Sequence, residues 1–432
     1  MPQAELPTLH PDPNDASTSD SRNLDSEPTN RHGVGYRWFT AGVGSWFGAF
    51  GMQGVLFSWI LVGELNAESR WVGTAQTCSM LPSLFLLMLG GATADRFDPR
   101  RLLIALHVLA PLPVLVLAVA AFNDALSIPL VIGFALAMGT LSAFGNPARD
   151  ALLARVAGAD LMGAISGVTA VQFACQAAGS MLAGMARIFG TPATLCLHAL
   201  VLFSGTFFAS RVPGAEVVDL GAEPHPPPRV GLRGTLAGMR DGLAIVARTP
   251  ELRGSLLAVS AVGLFFIGPF SVVLPLMIRD VYGGGVGQLA IAFTLFPLGT
   301  ISGSLILRRF GLRRKGRAML MALAVAATLE ACLGAGLPFW AFGLATYGWG
   351  LGGSVFINGS RTIFQEHAPP AYRGRVLAAY QLGFMGGGPI GAFAAGFAVS
   401  WVGLGGTFLI AASAMGILVL AMSFFSQVPS ID

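Results

Sequence analysis

Charged side chains are concentrated in one short segment of the sequence, GGATADRFDPRR, which spans residues 90–101. Only 11% of all residues are charged, yet five charges fall here within seven positions: Asp95, Arg96, Asp98, Arg100 and Arg101. Side chains of this kind form ion pairs and cap helix ends. The segment therefore predicts an electrostatic contact rather than a catalytic centre.

Patterns typical of catalysis or metal binding are absent from the sequence. It contains no HExxH, GxSxG or Walker motif, and none of the four cysteines belongs to a CxxC pair. Such patterns hold zinc, activate a serine nucleophile or cradle nucleotide phosphates. We therefore expect no enzyme activity, no cofactor and no metal.

The composition is that of a membrane protein, with 54% hydrophobic residues and a mean hydropathy of +0.68. Because about 20 apolar residues in a helix cross a bilayer core, the apolar runs predict twelve transmembrane helices. The first six spans are residues 38–62, 71–94, 102–122, 127–146, 161–186 and 193–210. The second six are residues 254–278, 286–307, 318–336, 338–357, 376–400 and 404–425.

Polar segments flank and divide these two sets of spans. We expect a disordered cytoplasmic tail at 1–36, bundles at 37–210 and 254–425, a cytoplasmic linker at 211–253 and a second cytoplasmic tail at 426–432. In the linker, Leu232, Leu236 and Leu243 recur at helical spacing. They predict an amphipathic helix that lies on the membrane surface or docks on the bundle.

Lys and Arg residues are distributed unequally between the two sides of the predicted membrane. Of the 26, only Arg70, Arg187 and Arg279 fall on one side; the other 23 are in the tail, the even-numbered connections and the linker. Membrane topology accounts for this excess, so no nucleic-acid partner is expected. The excess predicts a multi-pass protein of a bacterial inner membrane with both termini in the cytoplasm.

An internal repeat relates the two halves. One offset of 212 positions relates Asn146 to Asn358, Arg149 to Arg361, Gly179 to Gly391, and Gly184 to Gly396. Such a repeat relates two bundles about an axis normal to the membrane. The predicted fold class is therefore an all-α membrane protein with two pseudo-symmetric six-helix bundles, and the four glycines predict close helix packing.

With these features the chain resembles the major facilitator superfamily of secondary transporters. Residues 91–101 are similar to the signature loop between its second and third helices, although Asp98 stands where a second glycine is usual. ADRFDPRRLL, NPARDALL and YRGRVLAAYQL resemble, more narrowly, the enterobactin-exporter and macrolide-efflux-like group. The resemblance covers roughly residues 36–425 and implies the major facilitator fold.

The resemblance implies a conformational gate at the charged segment. In the superfamily, the acid that matches Asp95 approaches the start of helix 11 when the cytoplasmic face closes, and a glycine matching Gly91 lets the helices approach. The repeat copy has Leu307 in place of this acid, which predicts one acid-centred latch. The predicted gate comprises Gly91, Asp95, Arg96, Arg100, Arg101, Arg149, Arg361 and Arg375. Alternatively, the charges simply keep the hairpin out of the lipid.

Uncharged polar and aromatic residues supply the predicted substrate cavity: Gln53, Gln172, Gln176, Phe266, Phe270, Tyr347, Tyr380 and Gln381. In the superfamily, the helices that carry them line or flank the central cavity. This lining suits a bulky, amphipathic or aromatic compound, although each residue alone is compatible with packing.

Glu330 is the one acid well inside a predicted span, where a charge costs roughly 2.5–3.5 kcal/mol at mid-membrane. It is a candidate proton site, unless it lies near enough to the outer end of its helix to reach water.

The sequence thus predicts a monomeric exporter in the lipid bilayer that expels a drug-like or siderophore-like small molecule in exchange for protons. An uptake symporter or facilitator on the same fold is one alternative. A non-transporting membrane sensor or scaffold is the other.

Overall fold

The computed structural model describes residues 33–158, 161–214, 232–312, 314–369 and 372–431. The side chains of residues 87, 88, 95, 162 and 232–239 are outside this description. The predicted tail at 1–36 therefore lies outside the described residues except at its end, where the first helix begins at Val34.

Six long helices form the N-terminal half. They are α1 Val34–Trp59, which continues as a π-helical turn Ile60–Glu64, α2 Ser69–Arg96, α3 Pro99–Phe122, α4 Ile128–Val156, α5 Leu161–Ala183 and α6 Ala186–Arg211. One glycine sets a local feature of this half. Gly190 has a φ of +81°, and it bends α6 near its start.

The C-terminal half follows a linker helix, Leu232–Arg248. Its helices are α7 Pro250–Asp280 with a π-helical turn at Val262–Ile267, α8 Val286–Phe310, α9 Lys315–Gly334 and α10 Phe339–His367. The continuous stretch Arg373–Phe425 is broken at Gly403, where φ is +74°. This left-handed conformation is one that glycine adopts without a steric penalty, and it separates α11 (373–402) from α12 (404–425).

All twelve predicted helices are present, but their ends differ from the predicted spans. α4 runs to Val156, ten residues past the predicted end, and α10 runs to His367 rather than 357. The reason is physical: an apolar run marks the membrane-embedded part, whereas backbone hydrogen bonding carries the helix on into the polar region. The NPARD motif is consequently helical.

The helices and their surfaces are those of an integral membrane protein. Eight helical stretches among the described residues are long and apolar enough to cross a membrane. Large aromatic side chains are exposed at both ends of the bundle, including Phe97, Phe310, Trp340 and Trp401. Trp and Tyr rings favour the interface between lipid and water, and the exposed Trp340 and Trp401 fit that preference.

We name the two ends of the bundle by their charge. The arginine-rich end contains the α2–α3, α4–α5, α8–α9 and α10–α11 connections, and the arginine-poor end contains the connections between the other spanning helices of each half. The segment at 426–432 is expected as a tail, but its residues Val428 and Ile431 are buried at the arginine-rich end. There the Gly316 N–H donates to the carbonyl of Ile431 over 3.1 Å.

Candidate functional site

An aromatic cluster occupies the centre of the C-terminal half. We define it by Phe266 and Phe270 on α7, Phe293 and Phe296 on α8, and Trp349 on α10. The ring of Phe270 lies 5.4 Å from that of Trp349, 5.6 Å from Phe293 and 5.4 Å from Phe296. Phe266 meets Trp349 edge-on, also at 5.4 Å. The cluster thus joins three helices through T-shaped and tilted ring contacts, which aromatic pairs prefer.

The aromatic cluster faces the N-terminal half across the midline. A Cβ atom placed on Gly54 of α1 would lie 3.4 Å from the Phe293 ring, so this glycine leaves room for the cluster. Gln53 on α1 and Gln172 and Gln176 on α5 are half-buried on the N-terminal half. Three of the five rings, those of Phe266, Phe270 and Trp349, are on helices predicted to line the cavity, and none of the five residues is charged.

The other predicted cavity residues are not part of the aromatic cluster. Tyr380 is buried, its hydroxyl lies 3.2 Å from Ser360 Oγ and its ring packs 5.0 Å from Phe364. Tyr347 is half-buried, and Gln381 is exposed. Tyr380 thus contributes to packing between α10 and α11 in this conformation.

The charged segment fastens the N-terminal half together. Asp98 Oδ1 accepts a hydrogen bond from the Arg100 backbone N–H at the start of α3 and forms a 3.0 Å ion pair with Arg155 on α4. The Arg100 guanidinium donates to the carbonyls of Ala209 and Ser210 at the end of α6. Two of the five charges therefore cap helices, as acids do at N-termini and bases at C-termini.

The remaining gate residues have no described hydrogen bond to the charged segment in this conformation, although Arg149 and Arg361 both interact electrostatically with Asp150 on α4. Arg96, Arg101 and Arg361 are exposed, and the Asp95 side chain is outside the described part. A Cβ atom on Gly91 would meet nothing within 4 Å, whereas one on the adjacent Gly90 would lie 2.2 Å from the carbonyl oxygen of Ala143 on α4. The close approach in this conformation is thus at Gly90, within one half.

Arg149 and Arg375 have partners other than the charged segment. Arg149 is buried in the N-terminal half, with its guanidinium 5.0 Å from the Trp46 ring and a hydrogen bond to Asn146. Arg375, at the start of α11, forms a 3.2 Å ion pair with Asp241 on the linker helix. A Cβ atom on Gly242 would lie 2.3 Å from the carbonyl oxygen of Arg375, so the linker helix docks directly on α11.

The two halves are joined by hydrogen bonds toward the arginine-poor end. Thr77 on α2 donates to the Pro389 carbonyl on α11 over 3.0 Å, and Thr294 on α8 donates to the Ala177 carbonyl on α5 over 3.4 Å. The Gln76 amide on α2 also donates a hydrogen bond to the Ser271 carbonyl on α7. At the arginine-rich end, no hydrogen bond or close ion pair among the described residues joins the halves, although Arg361 on α10 interacts electrostatically with Asp150 on α4. The structure is therefore closed at the arginine-poor end.

The four repeat glycines occupy equivalent contacts in the two halves. A Cβ atom would clash with α1 at Gly179 and with α7 at Gly391, each within its own half. At Gly184 it would lie 3.0 Å from Ala290 on α8, and at Gly396 it would lie 2.9 Å from Gly73 on α2. Gly179 and Gly391 thus allow close packing within each half, and Gly184 and Gly396 lie where the halves meet.

Glu330 is fully buried in α9, and neither carboxylate oxygen has a hydrogen-bond partner in the described structure. It therefore does not reach water at the outer end of its helix. An isolated carboxylate is costly to bury without a partner.

Sequence reasoning missed several residues of this central region. Trp349, Phe293 and Phe296 were available as aromatic residues inside predicted spans. Their spacing is the same as that of lipid-facing rings, so the sequence carried no signal to separate them. Gln76, a buried amide in an apolar helix, was such a signal, because polar side chains inside spans usually face protein.

Two six-helix halves related by an internal repeat, with their interface at the midline, define a polytopic membrane protein of the transporter type. The sequence matches the family description "Major Facilitator Superfamily" over residues 39–381 and 256–431. The chain belongs to that superfamily and is a transporter of that fold. Members of the superfamily bind small-molecule substrates, often together with coupled ions.

Two curated relatives and one solved structure illustrate the similarity. Macrolide efflux protein A of Streptococcus pyogenes is 22% identical over 85% of this chain and 90% of its own length. The Staphyloferrin A transporter of Staphylococcus aureus is 28% identical, but the match covers 37% of this chain and 40% of that protein. The structure of a D-xylose-proton symporter superposes with a TM-score of 0.69 at 12% identity, covering 92% and 99% of the two chains. This last likeness concerns the fold alone.

Proposed function

We propose that this transporter exports a hydrophobic or aromatic small molecule, drug-like or siderophore-like, across the bacterial inner membrane by alternating access. The observation that carries the proposal is the aromatic cluster at the midline. A neutral wall of rings binds apolar and aromatic compounds well, whereas a sugar or a carboxylate needs hydrogen-bond donors or arginine. The half-buried glutamines on the opposite half would orient polar groups of such a compound.

The names of the curated relatives support export as the direction of transport and a drug-like or siderophore-like compound as the substrate. One is named a macrolide efflux protein, and its match extends over most of both chains. The other is named a staphyloferrin A transporter. The arginine-rich end, which on the positive-inside rule faces the cytoplasm, is the end at which no described bond joins the halves. In this orientation the compound enters from the cytoplasm.

Proton exchange is the second part of the proposal, with Glu330 as the proton site. Its carboxyl group is buried without a partner, so proton binding and release would change its local charge by one unit in an apolar surrounding. Such a change couples strongly to helix packing, because the charged form demands water or a partner. α9 packs against α10 and α12, and α10 carries Trp349.

Flux into inverted membrane vesicles tests export directly. Vesicles with and without a pH gradient would be given cationic dyes, macrolides and catecholate siderophores. We expect gradient-dependent accumulation of at least one class. It should fall in Phe293→Leu, because this half-buried ring of the aromatic cluster faces Gly54 of the other half. It should persist in the control Phe310→Leu, because the Phe310 ring on the same helix is exposed and lies outside the cluster. Accumulation only in right-side-out vesicles would overturn export in favour of uptake.

The proton site has its own test in the same vesicles. Glu330→Gln keeps the size of the side chain and removes its titration, so we expect exchange of substrate down its own gradient to persist while the pH gradient no longer drives accumulation. The control is Glu366→Gln, an exposed acid paired with Lys315 over 2.9 Å. Full gradient-driven accumulation by Glu330→Gln would rule out this residue as the proton site.

A further inference from the structure

Three backbone carbonyls at the arginine-poor end, those of Ser271, Val62 and Ala67, obtain hydrogen-bond donors from the opposite half. We infer that Arg279 and Gln76 hold this end closed by supplying those donors. This closure is a property of the protein's conformation and does not depend on which compound is transported.

The first carbonyl is left unsatisfied by a proline. Within an α-helix, each C=O accepts from the N–H four residues later. Ser271 of α7 precedes Pro275 by four positions, and proline has no N–H. The Gln76 amide on α2 donates to the Ser271 carbonyl over 3.1 Å and to Ser58 Oγ on α1 over 3.3 Å. Gln76 is 7% exposed, so this bond forms in a nearly dry environment, where leaving its partner unpaired is costly.

The second contact caps the end of α1. The last four carbonyls of a helix lack intrahelical donors, and a cation there is favourable. Arg279, at the end of α7, donates through Nη1 to the Val62 carbonyl over 3.1 Å and to the Ala67 carbonyl over 3.2 Å. Val62 belongs to the terminal turn of α1, and Ala67 lies in the connection to α2. One guanidinium from the C-terminal half thus holds two segments of the N-terminal half.

The neighbouring acid fixes the direction of this guanidinium. Asp280 accepts from Arg279 Nε over 2.5 Å and from Nη2 over 3.0 Å. This fork occupies one edge of the guanidinium and leaves Nη1 for the two carbonyls. A lysine could not reproduce the arrangement, because its ammonium is a point charge without a planar fork.

Arg70 provides a matched control at the same end. Its guanidinium pairs with Glu68 over 2.8 Å and lies over Trp71, so its described contacts stay within the N-terminal half. Arg70→Gln and Arg279→Gln remove the same charge from the same end, but only the second removes a bond between the halves.

Distances between spin labels measure the closure without any substrate. Labels at Ala125→Cys and Ala335→Cys, in a background without the four native cysteines, sit at exposed positions in opposite halves at the arginine-poor end. We expect one short distance in the parent protein. In Arg279→Gln the ratio of the long to the short distance should rise about tenfold, since two bonds from a charged donor are lost. Gln76→Met should act in the same direction, and Arg279→Lys should lie between parent and Arg279→Gln.

The controls make the inference falsifiable. Arg70→Gln should keep the parent distribution, and all variants should elute from size-exclusion chromatography as the parent does. An unchanged distribution in both Arg279→Gln and Gln76→Met would overturn the inference. An equal shift in Arg70→Gln and Arg279→Gln would also overturn it, because the cause would then be the lost charge rather than the lost contact.

Discussion

The two ends of the bundle differ in how the halves are held. Toward the arginine-poor end, which carries few charges, side chains of one half donate to backbone carbonyls of the other, and glycines allow close backbone contact. At the arginine-rich end, the described ion pairs Asp98–Arg155, Lys315–Glu366 and Asp241–Arg375 each stay within one half or join it to the linker helix. Charge is thus used to build each half, and neutral hydrogen bonds with one guanidinium are used to join them.

This difference has a consequence for the energetics of switching. Surface ion pairs contribute about 0–1 kcal/mol and are screened by salt, so they suit a surface that separates and reforms. Buried hydrogen bonds and backbone contacts tolerate little change in geometry. The closed arginine-poor end should therefore depend on a few well-packed positions, and the opposite end on many weak ones.

The largest expected effect follows from filling the closest contact between the halves. A Cβ atom on Gly73 of α2 would lie 2.7 Å from the Ala392 carbonyl oxygen and 2.8 Å from the Gly396 Cα on α11. Because both are backbone atoms, Gly73→Leu forces the helices apart at a cost of about 1–3 kcal/mol. In the spin-label experiment, the long distance should become the dominant one.

Gly91→Leu is the control for that prediction. Since nothing lies within 4 Å of a Cβ atom at Gly91, this variant should keep the short distance at the arginine-poor end. If the predicted approach of Gly91 to α11 occurs when the opposite end closes, Gly91→Leu should stabilise the observed conformation and slow transport. A Gly73→Leu protein that still shows only the short distance would contradict the importance of this contact.

The contrast between Gly90 and Gly91 illustrates what the sequence could predict. Twelve helices, two halves and the repeat followed from apolar runs and from residue spacing, because burial in lipid imposes a pattern along the chain. The sequence did not show which of the two adjacent glycines contacts a neighbouring helix, because that depends on how α2 is rotated about its axis. Likewise, Asp98 was visible as a charge, but its partner Arg155 lies on another helix. Phe266 and Phe270 of the aromatic cluster were predicted from the sequence. Trp349 was not, because nothing in the sequence distinguishes it from a lipid-facing ring in an apolar helix.

An intermediate effect is expected from the acid of the predicted gate. If Asp95 pairs with the start of α11 when the arginine-rich end closes, Asp95→Asn loses about 0.3–1 kcal/mol, or somewhat more where the pair is partly buried. The population of the long distance at the arginine-poor end should then fall about two- to fivefold, opposite in sign to Arg279→Gln. Transport should slow at a normal protein level.

Asp95→Asn and Arg279→Gln are expected to shift the label distance in opposite directions, so the double variant tests both predictions. Combining Asp95→Asn with Arg279→Gln should restore a distribution nearer to the parent, because the substitutions destabilise opposite conformations. A double variant with the same distribution as Arg279→Gln alone would show that Asp95 does not contribute to the gate.

The smallest effect is expected where the linker helix meets α11. Arg375 and Asp241 form a 3.2 Å ion pair in which both side chains are 48% exposed, so the pair should contribute only about 0.2–1 kcal/mol and less at high salt. A double-mutant cycle with Asp241→Asn and Arg375→Gln, read from the same label distances at low and high salt, isolates this contribution. A coupling that is small and vanishes with salt would leave the close packing of Gly242 on α11 as the main attachment of the linker. A coupling that is large and insensitive to salt would instead mean that the linker helix, through Arg375, helps to set which end of the transporter is open.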